Sequence, residues 1–211
     1  MSPSEKISAE MPNESIIGQK VTLRPLTLND VTDRYVSWLN DTEVNAYLET
    51  GKEAVSLEDV REFVQKNAGS SSSHMFAIIL KSDDRHVGNI RLGGINWIHR
   101  YANLGILIGE KSCWGKGYGT EACQLLLRYA FGRLNLNKVT LGVYANHTGA
   151  IKAYERVGFK IEGCLEKMFV YEGEYVDKTI MGILKEDYKN VQSKFNMKNT
   201  HKQNHKMSIK K

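Results

Sequence analysis

One ten-residue stretch constrains this chain more than any other: Cys113-Trp114-Gly115-Lys116-Gly117-Tyr118-Gly119-Thr120-Glu121-Ala122. Three glycines alternate with Lys116 and Tyr118, and a helix-forming run follows at once. Glycine takes φ > 0 freely and lets a ligand approach the backbone. A helix that starts directly after such a loop aims unpaired N–H groups and the positive end of its dipole at one spot. The result is an anion cradle, and a pyrophosphate suits it. Two nucleotide loops fit poorly. A dinucleotide fold asks for G-x-G-x-x-G, whereas the spacing here is Gly115-x-Gly117-x-Gly119. A P-loop asks for Gly-Lys-Ser/Thr, and here Gly115-Lys116 runs into Gly117.

The rest of the chain bounds the class. Its 211 residues fit one domain with tails. A hydrophobic share of 41% and a charged share of 25% support a sizeable core. The net charge is +5, but many lysines lie in the last twenty residues, so a nucleic-acid partner for the fold itself is not expected. Cys113, Cys123 and Cys164 are odd in number and lack C-x-x-C spacing. That argues against a disulfide framework and a metal site, and for a reducing, cytoplasmic setting. Met1 to Ile16 has no apolar signal core, and no run of roughly 20 apolar residues predicts a membrane span.

Along the chain, residues 1–18 read as a flexible leader, 19–188 as the domain, and 189–211 as a basic, disordered tail. Lys20 to Leu26 alternates as a strand, and Asn29-Asp30 caps a predicted helix from Val31 to Leu39. Ser56-Leu57-Glu58-Asp59 forms a capping box that opens a helix to about Asn67. Met75–Leu80, His86–Asn96 and Tyr101–Gly109 read as strands, the third feeding the glycine loop. Beyond it come a helix from Thr120 to about Arg133 and a strand from Leu136 to Tyr144. A helix from Asn146 to Val157 follows, closed by Gly158, and the chain ends in a hairpin across Glu172-Gly173-Glu174. The pattern is mixed α/β with antiparallel hairpins, not continuous βαβ winding.

Trp114 to Ala122 after a strand resembles motif A of the GCN5-related N-acetyltransferases (GNAT). Asn146-His147-Thr148-Gly149-Ala150-Ile151, with Tyr154-Glu155 and Val157-Gly158-Phe159, resembles that superfamily's motif B. Glu162-Gly163-Cys164-Leu165 and Gly173-Glu174-Tyr175-Val176-Asp177 resemble the closing hairpin of its RimJ/RimL-like branch. The likeness spans roughly Val21 to Tyr188. It implies a GNAT fold: a central, mixed, largely antiparallel sheet, flanked by helices and splayed between its fourth and fifth strands. It also implies acetyl-CoA as donor, direct transfer to an amine, and no metal. On this likeness the pantetheine arm enters the splay near Leu107, Ile108 and Gly109, and the pyrophosphate lies on Trp114, Gly115, Lys116, Gly117, Tyr118, Gly119 and Thr120. Asn146 and Ala150 contact the cofactor arm, and Tyr154 faces the sulfur as general acid.

Acyl transfer needs a deprotonated amine, N–H donors for the oxyanion and a proton for the leaving thiolate. Many relatives carry a Glu in the fourth strand, where this chain has Ala102-Asn103-Leu104-Gly105. Asn103 cannot accept the amine proton, which leaves Glu110, His99, Glu43 and Asp177 as candidate bases, directly or through a relayed water chain, with Glu110 read beside Tyr154 as catalytic. Tyr35, Trp38, Asn40, Glu43, Tyr47, His99 and Tyr175 are expected to line the acceptor site. Their aromatic and amide character favours an amino sugar or sugar nucleotide over a polyamine or a ribosomal-protein N-terminus. A non-catalytic acetyl-CoA-binding regulator is the alternative from another class, and a homo-oligomer fits either reading. Lys194, Lys198, Lys202, Lys206 and Lys210 recur every four residues in the tail, as a basic stripe if helical.

Overall fold

Side chains in the strand Ser73–Leu80 divide by parity between two cores, as a period of two requires. Phe76, Ile78 and Leu80 enter one, and Met75 and Ala77 the other. This strand therefore lies inside a sheet covered on both faces. The computed structural model describes residues 11–49 and 53–188. Eight strands form one sheet: β1 (Ile16–Ile17), β2 (Val21–Pro25), β3 (Ser73–Leu80), β4 (His86–Asn96), β5 (Tyr101–Ile108), β6 (Lys138–Tyr144), β7 (Lys160–Tyr171) and β8 (Glu174–Leu184). Their spatial order is β1-β2-β3-β4-β5-β6-β8-β7. Every pairing is antiparallel except β5 with β6. The architecture is the mixed, mostly antiparallel α/β sheet implied by the resemblance.

The helices are α1 (Asp33–Asn40), α2 (Leu57–Asn67), α3 (Tyr118–Arg128) and α4 (Thr148–Val157). The larger core packs α3 against β2–β6 through Ala122, Leu125, Leu126 and Leu127. The smaller one gathers Tyr35, Trp38, Val60 and Val64 from α1 and α2 over Met75 and Ala77. The Ser56–Asp59 box forms as expected: the Asp59 backbone N–H donates to Ser56 Oγ, and the Ser56 N–H to Asp59 Oδ2. Gly158 ends α4 at φ 113°.

Four expectations shift. Ile16–Ile17 of the expected leader pair with β2. Helix α1 starts at Asp33 rather than Val31. Asp30 belongs to a preceding turn, where its carboxylate takes Arg24 and the Thr27 N–H, and Thr32 caps the helix instead. Helix α3 begins at Tyr118 and changes at Tyr129–Arg133 into a π turn, with Leu134 N–H bonding Tyr129 C=O. Helix α4 begins two residues later than expected, with His147 and not Asn146 as its N-cap. Met1–Glu10 and the lysine stripe at 194–210 lie outside the described residues.

Candidate active site

Strands β5 and β6 pair only at their starts, Tyr101–Asn103 against Lys138–Thr140. Beyond that they part. Leu104–Ile108 stays on β4, while Leu141–Tyr144 stays on β8. A gap therefore opens between the carboxyl ends of β5 and β6, lined by backbone without a strand partner on that side. At its β5 rim, Gly109 N–H and Glu110 N–H both donate to Val87 C=O (3.0 and 3.1 Å), a bulge that ends the strand. Strand alternation then turns the Ile108 peptide toward the gap. Its carbonyl accepts the Trp114 indole N–H at 2.8 Å, which fixes the glycine loop to the gap's edge.

That loop is an open cradle. Gly115 and Gly117 have φ of 70° and 83°, the left-handed region a side chain resists. Gly117 is the N-cap of α3 and supplies no side-chain cap, so the first-turn N–H groups of the helix lack that partner. No heavy atom lies within 4 Å of where a Gly115 Cβ would stand. A Gly119 Cβ would touch Ile106 and Ile108 at 3.5–3.8 Å, so the helix start packs directly on the splayed part of β5. The donors, the open face and the adjoining gap fit a pyrophosphate followed by an extended arm. Lys116 is exposed at this face, and the Thr120 side chain is half-buried beside it. Glu121 has a structural task that sequence did not show: Oε1 accepts the N–H groups of Gln19 and Lys20, pinning the chain before β2 onto α3.

From the other side, α4 brings Tyr154 and Ala150 against the same core. The Tyr154 ring meets Phe159 edge-on with centroids 5.9 Å apart. Burial pushes its hydroxyl pKa up, with the nearby Cys123 adding to the shift. The hydroxyl has no hydrogen-bond partner among the described residues, so it keeps its proton free for a ligand. Asn146 is exposed just after the end of β6, and its carboxamide is likewise unpaired among the described residues. Glu110 lies at the β5 rim, half-buried, with Ser112 Oγ donating to it at 3.3 Å and Arg34 Nε at 3.9 Å.

The expected acceptor residues scatter. Tyr35 and Trp38 are 4% and 5% exposed and belong to the smaller core. Trp38 covers Gly109, where a Cβ would come within 2.0 Å of the indole. Asn40 is a staple: its amide donates to Val55 C=O and accepts Val55 N–H, both at 2.8 Å. His99 sits in the β4–β5 turn, at the opposite end of β5 from the gap. Residues at i, i+3 on an amphipathic helix read alike whether they face a core or a pocket. That is why the sequence placed the two aromatics in a site.

Glu43, Tyr47 and Tyr175 do gather near the mouth. Glu43 and Asp41 share Lys111 Nζ, at 3.1 and 2.8 Å, just past Glu110. Tyr47 stacks between His147 (centroids 4.0 Å) and Tyr171 (4.9 Å), and meets Tyr144 edge-on. The bond to Tyr47, with burial second, pushes the Tyr171 hydroxyl up to about 12. Tyr175 is 70% exposed beyond the end of β6. Sequence reasoning missed Tyr144, Phe169 and Lys178, which with Glu49 complete this wall. The expected base candidate Asp177 instead accepts Lys167 N–H at 2.8 Å, inside the β7–β8 hairpin. Asn103 lies below the gap, where its Oδ1 accepts the Thr140 hydroxyl at 2.7 Å. Cys113 is buried and Cys123 is buried with its thiol pushed up to about 12, so neither is poised as a nucleophile. Among the described residues no cluster of His, Cys, Asp and Glu could hold a metal, and no helix is long and apolar enough to cross a membrane.

Known proteins resemble this chain in sequence and fold. The family described as the acetyltransferase (GNAT) domain matches residues 20–160. The spermidine N(1)-acetyltransferase of Escherichia coli K12 is 35% identical over 171 residues, 80% of this chain and 88% of that protein. An uncharacterized N-acetyltransferase of Bacillus licheniformis is 28% identical over 177 residues, 83% of this chain and 98% of that one. The crystal structure of spermidine N-acetyltransferase from Vibrio cholerae in complex with CoA and spermine superposes with a TM-score of 0.75 at 29% identity. It covers 81% of this chain and 99% of that one. The splayed sheet, the uncapped glycine cradle and these relatives agree: the chain belongs to the GNAT family and is an N-acetyltransferase that takes its acetyl group from acetyl-CoA.

Proposed function

We propose that the acceptor is a primary amine of a small polyamine, and that transfer is direct. One observation carries the choice: on the β5 side of the mouth three carboxylates meet only two cations, Asp41 and Glu43 sharing the single Lys111 while Glu110 lies 3.9 Å from Arg34, which leaves that side negative; Glu49 on the β8 side is matched by Lys178. Carboxylates attract an alkylammonium and do nothing for a neutral sugar ring. Of the aromatic and amide groups that favour an amino sugar, Tyr35 and Trp38 belong to the smaller core and the Asn40 amide is taken up by Val55. Two relatives of 30% identity or more, from Escherichia coli and Vibrio cholerae, bear the name spermidine N(1)-acetyltransferase, which supports the same reading.

In this reading the α3 N-terminus with Gly115–Thr120 holds the pyrophosphate, and the arm runs along the β5 edge toward Ile108. The bound acetyl-CoA supplies a thioester carbon open to attack. An amine arrives protonated, since an alkylammonium has a pKa of about 10.4. Glu110, reached directly or through water, takes its proton. The Ile108 peptide on the gap side supplies the oxyanion donor. Tyr154, neutral because burial opposes its ionisation, gives a proton to the leaving sulfur.

The test is CoA-thiol release with spermidine, spermine, glucosamine, an amino-sugar nucleotide and ribosomal-protein N-terminal peptides. Spermidine or spermine should give a kcat/KM at least tenfold above the sugars and peptides. Preferred turnover of an amino-sugar nucleotide would overturn the acceptor assignment and leave the acetyltransferase activity standing.

A further inference from the structure

At the mouth of the gap the Lys178 ammonium lies between a carboxylate and an aromatic face. Lys178 is on β8 opposite Tyr144, the last residue of β6, and so stands at the mouth of the gap. Its Nζ lies 2.8 Å from Glu49 Oε1 and 4.9 Å from the centre of the Phe169 ring. Its stem crosses Gly142 so closely that a Cβ there would lie 2.0 Å from Lys178 Cε. The side chain is only 17% exposed. Phe169 is held flat by Tyr144, with centroids 4.1 Å apart and 16° between planes. A carboxylate on one side and an aromatic face on the other are what a bound alkylammonium needs.

From these contacts we propose that Lys178 is a specificity-determining residue that stands in for one charge of the acceptor. Glu49 and Phe169 form a subsite for an alkylammonium, and Lys178 occupies it from within. The native enzyme therefore gains little from a second positive charge on the acceptor's β8 side. A chain without the Lys178 ammonium accepts that charge from the substrate instead. The proposal rests on the polyamine reading of the acceptor and refines it. Tyr47 supports the subsite by carrying Glu49 two residues on, and its stack between His147 and Tyr171 fixes that segment over β6 and β7.

The experiment compares wild type, Lys178→Met, Glu49→Gln and the double variant on two acceptors: spermidine and the singly charged butylamine. Isothermal titration of each amine into the CoA complex gives affinity independently of turnover, and thermal melting checks the fold. Lys178→Met should raise the spermidine-to-butylamine ratio of kcat/KM about tenfold and tighten spermidine binding in parallel. Adding Glu49→Gln should cancel that gain. A ratio unchanged in Lys178→Met, or a gain that survives Glu49→Gln, overturns the subsite. If Lys178→Met melts before assay temperature, Lys178→Gln, which keeps the stem and removes the charge, carries the same expectation. Failure of the parent reading looks different: wild type and variants alike would leave spermidine untouched while acetylating another amine.

Discussion

In the proposed mechanism the chemistry turns on Tyr154 and the loop glycines, and each supports a separable expectation. Tyr154→Phe keeps the ring against Phe159 and loses only the hydroxyl. Turnover should fall roughly 100-fold, the low end for loss of a general acid or base. Acetyl-CoA affinity by titration should hold within about twofold; a kcat equal to wild type would remove Tyr154 from the mechanism. Gly117→Val places a branched side chain at φ 83° beside the open helix end. Acetyl-CoA binding should weaken at least tenfold, read by calorimetry on protein shown to be folded. Gly109→Ala probes packing instead of binding. Its methyl would enter the Trp38 indole, so stability should drop by about 1–3 kcal/mol, the usual cost of overpacking, measured by urea unfolding.

Elements make the site by diverging. Strands β5 and β6 run parallel for three paired residues and then follow different neighbours, β4 and β8. The α1–α2 connection then crosses the mouth on the face opposite α3. It is held by the Asn40–Val55 pair at one point and by Glu49–Lys178 and the Tyr47 stack at another. Asn40→Ala leaves the Val55 N–H and C=O without their partners. It should cost about 1–2 kcal/mol, a pair of exposed hydrogen bonds, seen as a lower urea midpoint. Because the connection carries Asp41, Glu43 and Glu49, the same variant should raise the KM for the amine more than that for acetyl-CoA.

Across the whole molecule, two cores clamp one sheet, and an ion pair braces the smaller core at its edge. Asp30 is 8% exposed and accepts from Nη1 and Nη2 of the Arg24 guanidinium. Burial alone would raise its pKa, but the bonds from Arg24 and Thr27 outweigh that and hold it below the ordinary carboxylate value. The sign follows from linkage. An acid with a depressed folded pKa contributes stability above its unfolded value, about 3.9, and that contribution is lost as pH falls through the folded value. Urea unfolding followed from pH 6 to pH 2 should therefore show wild type losing more stability than Asp30→Asn below about pH 4. Equal losses would mean that other carboxylates govern the acid limb.

How much of this could be read from the sequence follows from the range of each interaction. The Ser56–Asp59 box, the Gly158 stop and the loop at Gly115–Gly119 are local: their donors and acceptors lie within a few residues, so order along the chain specifies them. The donor half of the site is such a local feature, one strand end, one loop and one helix start, and its residue types announced acetyl-CoA. The acceptor half is not local. Lys178 meets Glu49 across 129 positions, and Tyr144, His147 and Tyr171 meet Tyr47 only because β6, β7 and β8 come together under one connection. An amphipathic pair such as Tyr35 and Trp38 carries no mark of whether a sheet or a substrate will cover it, and the packing of α1 on β3 decided for the sheet. His99 likewise adjoins β5 in sequence, while the direction of the strand put it at the wrong end. The sequence by itself thus determined the fold class and the cofactor, because backbone geometry and helix ends are set by near neighbours. Only the tertiary structure decided which side chains gather at the mouth of the gap, because that depends on where distant strands end.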